Sequence, residues 1–178
     1  RGGKKKLDKF YPRSFNMGIK REVYMKMTGF SNMRFGEDID FSYRILENGY
    51  TCRLFPEAWV WHKRRTDLWK FFKQVFNSGI ARINLEKRHP GTMKLVHTLP
   101  MLFTVGVISL VLLSVVLAVV PLAGGGHGCV TPQTALLPLV PLMLYALLIF
   151  SHSAHKHGNL WIGVLCVAAA YVQLVGYG

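Results

Sequence analysis

Between Glu37 and Asn48 the apolar pairs Phe41 with Ile45 and Tyr43 with Leu46 recur at helical spacing, so a helix is predicted there, closed by Gly49 as a left-handed C-cap. Upstream, Phe15 to Ile19 reads as a short extended piece, followed by a helix from about Lys20 to Thr28 that Gly29 closes. After Gly49 the alternation of Tyr50, Cys52 and Leu54 with polar residues has the period of a half-buried strand. Pro56 then turns the chain into a second strand, Ala58 to His62.

From Thr66 to Arg88 the positions Leu68, Phe72, Val75, Phe76, Gly79 and Ile83 return to helical spacing, with Lys70, Lys73, Gln74, Asn77 and Asn84 opposite. An amphipathic helix with aromatic residues on one side and lysines on the other suits the bilayer interface, and packing on a core is the plainer alternative. Met101 to Val120 is an uncharged run long enough to cross a hydrocarbon core of ~30 Å. Val130 to Phe150 and Leu160 to Tyr177 are two further candidate spans, the first kinked or shortened by Pro132, Pro138 and Pro141.

Charge sharpens this division. Residues 1 to 97 hold 21 of the 22 Lys and Arg and all 9 Asp and Glu, and the remaining residues carry only Lys156. A basic half joined to an apolar half points to anionic lipid or an anionic substrate. Nucleic acid is disfavoured as a partner because no zinc-finger, homeodomain or RNP spacing occurs. With three spans, the loop Gly124 to Gly128 lies opposite both Lys156 and the basic half, and the positive-inside rule puts residues 1 to 97 in the cytoplasm. Cys52, Cys129 and Cys166 lack a C-x-x-C spacing, so neither a disulfide framework nor a zinc site follows. A start at Arg1, with the run Lys4 to Lys6 and no apolar segment, reads as a piece of a longer protein rather than a signal peptide.

The stretch with the most chemistry is Phe35 to Arg44, where Glu37, Asp38 and Asp40 crowd the first turn of the predicted helix. Unpaired backbone N–H groups and the positive end of the helix dipole keep carboxylates ionised there, and an ionised carboxylate can act as a base. Acidic residues at a helix start are also ordinary charge complementation, so spacing alone does not choose between the two. The string GEDIDFSYRILENGY, with NMGIKREVYMKMTGF before it and FPEAWVWHKRR after it, resembles the C-terminal half of a family 2 glycosyltransferase with the A-type fold.

That resemblance implies that Asp38 is the catalytic base, with Glu37 beside it and Asp40 in support. It also puts Asn16 on the acceptor side of the cleft and Arg44, Gln74 and Arg82 among substrate-binding residues. His62, at the end of the second predicted strand, would complete the coordination of a divalent cation, Mg or Mn, whose main Asp-x-Asp ligands are expected upstream. Each has a plainer reading: Asn16 bonding its own turn, His62 structural, and Lys63, Arg64 and Arg65 a solvated charge run rather than phosphate partners. Processive synthases carry Gln-x-x-Arg-Trp on a comparable helix, whereas this chain has Gln74-Val75-Phe76-Asn77-Ser78. The run FFKQVFNSGIARINLEKRHPGT, through Gln74, Gly79, Arg82, His89 and Pro90, is more similar to membrane-anchored transferases of the succinoglycan-biosynthesis type. His152, His155 and His157 are expected at headgroup level in a short loop rather than at a metal, and His127 is uninformative.

The expected fold is therefore α/β, the C-terminal part of an A-type Rossmann-like domain over residues 1–65. An interfacial helix and linker follow over 66–97, and a transmembrane region of about three helices over 98–178. The expected activity is inverting transfer of a sugar from a nucleotide-diphosphate donor to a lipid-linked or polysaccharide acceptor at the cytoplasmic membrane face. Without an upstream donor half, the chain alone is expected to be inactive. A non-enzymatic basic membrane adaptor or small transport subunit is the alternative.

Overall fold

The structure, a computed structural model, describes residues 11–63, 66–123 and 133–178. Lys4 to Lys6, Arg64, Arg65, Gly124 to Gly128 with His127, Cys129, Val130 and Pro132 lie outside the described residues. The described chain is helical: α1 (Arg21–Lys26), α2 (Glu37–Glu47), α3 (Leu68–Arg88), α4 (Leu99–Ala123), α5 (Val140–His157) and α6 (Leu160–Tyr177), with short 3-10 segments at Ser14–Asn16, Leu95–His97 and Thr134–Leu139. Two compact units divide it, one running to Thr66 and including Asn77–Lys94, the other formed by Asp67–Phe76 and Leu95–Gly178.

The α/β expectation is overturned, because no strand forms among the described residues. Tyr50 and Cys52 do pack, half-buried, against the core of Met27, Phe41 and Ile45, and Ala58 N–H bonds Phe55 O at 3.1 Å in the turn expected at Pro56. The alternating pattern thus reports one-sided burial correctly. A strand also needs a second segment to share its ladder of N–H and C=O groups, and residues 50–54 and 58–62 have none among the described residues. Phe15 to Ile19 differs too, since a 3-10 turn occupies Ser14–Asn16 before the chain extends at Met17.

In the first unit α2 is the central element. Phe41 is fully buried, touched by Phe30 at 5.0 Å and Tyr24 at 5.8 Å between ring centroids, and Met17, Ile19 and Val23 close the core around it. Thr28, at φ 57, and Gly29, at φ 68, carry the chain out of α1.

In the second unit three helices are long and apolar enough to cross a membrane, spanning Leu95–Val119, Thr134–His157 and Leu160–Tyr177. Backbone groups hydrogen-bonded within each helix make this the form a single span must take in lipid. Small and polar residues join the helices: Gly163 lets Phe150 and Ala154 approach, and the hydroxyls of Tyr171 and Ser114 donate to Leu142 O and Ala135 O. Phe103, Tyr145 and Tyr171 form a ring cluster with centroids 5.5 to 5.8 Å apart. The expected loop at His152, His155 and His157 is instead the end of α5. Gly158, at φ 62, stops that helix, and Asn159 at once caps α6 by accepting the Trp161 N–H, so two residues make the whole turn.

The amphipathic helix is present as α3, with Asp67 accepting the Trp69 and Lys70 N–H groups at its start. In its first turns Trp69, Phe72 and Phe76 stack in succession, and Phe72 lies against Gly176 of α6. Val75, Gly79, Ala81 and Leu85 are buried, while Phe76 and Ile83 from the expected apolar face are half exposed.

Candidate active site

Gly36 opens α2 in the left-handed conformation, at φ 84, and a Cβ there would stand 3.1 Å from the Ala81 Cβ and 3.5 Å from Leu85 Cδ1. The missing side chain lets the first turn of α2 pack directly on α3 and relieves the strain of positive φ. No side chain caps this helix start, and Glu37, Asp38 and Asp40 stand in its first turn, as the sequence suggested.

The three carboxylates have different surroundings. Glu37 is half-buried at the first position. Asp38 is buried, its Oδ1 accepting the Ile39 N–H at 2.9 Å and its Oδ2 the Ser14 N–H at 3.3 Å, with the Arg13 guanidinium 3.8 Å away. Each oxygen keeps lone-pair capacity beyond these bonds.

Asp40, 1 % exposed, is instead the centre of a charge cluster. Arg44 Nε donates to its Oδ2 at 3.0 Å, His89 Nε2 lies 3.0 Å from its Oδ1, and Arg88 Nη1 lies 3.5 Å from the same oxygen. Burial alone would raise the Asp40 pKa. The neighbouring Ser31 hydroxyl, the His89 bond and the Arg44 charge together outweigh it, and the carboxyl titrates below the usual range.

Arg44 also donates to Met27 O and, at 2.8 Å, to Gly29 O, which ties the end of α1 to α2. Glu86 accepts from Gly91 N, Met93 N and the Thr92 hydroxyl, and these bonds hold its pKa down and fix the turn after His89.

The structure brings Asn16 and His62 to the neighbourhood of Asp38 through one short turn. Ser14 binds Asp38, Phe15 stacks on the His62 ring at 4.7 Å, and Asn16 Nδ2 donates to Ala58 O at 2.9 Å. An open depression of about 1300 Å³ borders this turn, lined by Arg13, Asn16, Tyr50, Trp59 and His62 among others, and Asp38 is not part of its wall. Gln74 is exposed on α3, and Arg82 is half-buried there with its Nε enclosed and unbonded.

Sequence reasoning missed Ser14 and Arg13 as partners of Asp38, and it named His89 only as part of a resemblance. A histidine directly before a proline at a helix end, facing a segment with more carboxylates than its own, was the available signal for His89. No local signal marks Ser14, whose contribution is a backbone N–H.

Asp38 thus stands buried in the first turn of α2, beside the turn that carries Ser14 and Asn16. The chain matches glycosyl transferase family group 2 over residues 15–152, and it belongs to that family. It is therefore a transferase of sugars, acting between a donor and an acceptor. No curated protein and no solved structure matches the chain significantly.

Proposed function

We propose that the protein transfers a sugar with inversion from a nucleotide-diphosphate donor to a lipid-linked or polysaccharide acceptor, with Asp38 as general base. The observation carrying this reading is the contrast within one helical turn: Asp40 is committed to Arg44, Arg88 and His89, while Asp38 accepts two backbone N–H groups and keeps lone pairs for an incoming hydroxyl. In the transfer step the acceptor O–H proton passes to an Asp38 oxygen as the acceptor oxygen bonds the anomeric carbon. The bond from that carbon to the diphosphate oxygen breaks on the opposite face. Glu37 and Asp40 support the charge and shape of the turn, which Arg44 braces, Asn16 lies on the acceptor side, and Arg82 acts toward substrate.

A divalent cation, Mg or Mn, would neutralise the departing diphosphate when bound. The described residues do not make its site, since no three His, Cys, Asp or Glu side chains among them are placed to hold a metal ion. His62 offers one imidazole at most, and the proton passes from the acceptor hydroxyl to the Asp38 carboxylate directly.

An acceptor held in the membrane fits a chain with three helices able to cross one, and the charge asymmetry along the chain supports the cytoplasmic side. The test is to express the full-length protein in membranes and screen nucleotide sugars with a lipid extract. Transfer of one sugar to a lipid-extractable or polysaccharide product supports the reading, and hydrolysis without transfer, or no turnover with any donor, counts against it.

A further inference from the structure

We propose that His89 acts as an imidazolium clamp that positions Asp38, donating from both ring nitrogens to Asp40 and Glu47 and so fixing the first turn of α2 against the C-terminal end of α3. The inference rests on the reading of Asp38 as the base.

His89 is 9 % exposed, with Nε2 3.0 Å from Asp40 Oδ1 and Nδ1 2.8 Å from Glu47 Oε1. Ionised carboxylates only accept, and a neutral imidazole has one N–H, so one of these two contacts would set lone pair against lone pair. Two protonation states satisfy both: a protonated imidazole, or a neutral one facing a protonated carboxyl. Imidazole ordinarily binds a proton about two pH units more tightly than a carboxylate. Asp40, the buried partner, is moreover held below the usual carboxyl range. The proton therefore belongs to the ring.

The groups facing this ring agree. Asp40 receives Arg44 on its other oxygen and Arg88 beside the ring, Glu47 is exposed, and the Tyr43 ring covers His89 at 5.0 Å between centroids. Two carboxylates thus meet His89 directly.

Positioning follows from where the two ends of the clamp sit. Gly36, before Asp38, rests against Ala81 and Leu85 of α3, and Asp40, after it, is gripped by His89 one turn beyond Leu85. Asp38 lies between two points of attachment to the same helix. Releasing one lets the turn rotate about the other, which moves the base relative to a reacting hydroxyl.

The test uses the full-length protein in lipid nanodiscs with nitrogen-15-labelled histidine. At neutral pH the ring spectrum of His89 should show both nitrogens protonated, with the signal assigned by its loss in His89→Gln. Should that variant fail to fold, Glu47→Gln at an exposed carboxylate assigns the signal through a selective change at Nδ1. A bare-nitrogen signature for His89 overturns the clamp. His89→Gln should also lower kcat for sugar transfer, by up to roughly 100-fold for a misplacement near 1 Å, with KM for the donor little changed. A folded His89→Gln protein with wild-type kcat overturns positioning. The spectrum needs no turnover, so it judges the clamp independently, and failure of Asp38 as base leaves it unchanged.

Discussion

Asp38 and Asp40 stand two residues apart in the first turn of α2, but Asp40 is bound by two arginines and a histidine whereas the closest bonds to Asp38 come from the Ser14 and Ile39 backbone. Helical geometry explains the split. Two residues along a helix turn by roughly 200°, so the side chains leave on opposite sides, one toward Arg44 and α3 and the other toward the turn at Ser14.

Asp40→Asn should therefore act on folding before it acts on chemistry. It leaves Arg44, Arg88 and His89 without their shared anion, and breaking a buried pair of this kind costs about 3 kcal/mol or more. Thermal unfolding with limited proteolysis of residues 11–94 should show the loss, and an Asp40→Asn protein as stable as wild type would contradict the network.

The acid limb of stability should depend on the same residue. The folded-state pKa of Asp40 lies below its unfolded value, so its contribution is complete above the unfolded carboxyl pKa, about 3.9, and is lost as pH falls through the folded pKa. Glu86 and Asp67 are shifted the same way, so the difference between wild type and Asp40→Asn isolates the Asp40 share. That difference should be constant near neutrality and shrink below about pH 4. A difference that stays constant as the pH falls well below 4 would rule out Asp40 as the source.

Gly36→Ala should loosen the contact that orients α2. The new methyl would meet Ala81 at 3.1 Å in a backbone at φ 84, and strain of this sort is of order 1–3 kcal/mol. Reduced thermal stability should be partly restored by Ala81→Gly, which opens the facing space. An unaffected Gly36→Ala protein would mean that the close approach is not required.

The helices were largely legible. Phe41 and Ile45 gave α2 to within a residue of its end, the pattern from Thr66 gave α3 to within two residues of its start, and the apolar runs gave the three helices long enough to cross a membrane. The sheet was not, because Tyr50, Cys52 and Leu54 carry information about burial but none about whether a ladder partner exists. The acidic turn was legible as a cluster, while the division of labour inside it was hidden, since it depends on Ser14 and His89, 24 and 49 residues from the carboxylates they bind. The tail of α5 was misjudged because His152, His155 and His157 looked like loop polarity, when basic residues in a last turn also suit the negative end of the helix.

The most direct test of the account is the transfer rate of full-length Asp38→Asn in membranes, measured beside wild type with the donor found by screening. The amide keeps the shape of the side chain and its capacity to accept the Ser14 and Ile39 N–H groups, so insertion and donor binding should be preserved. The proton acceptor is gone, and transfer should fall by roughly 100- to 10,000-fold. Near-normal turnover of Asp38→Asn, with Glu37→Gln inactive in the same assay, would contradict the assignment of the base.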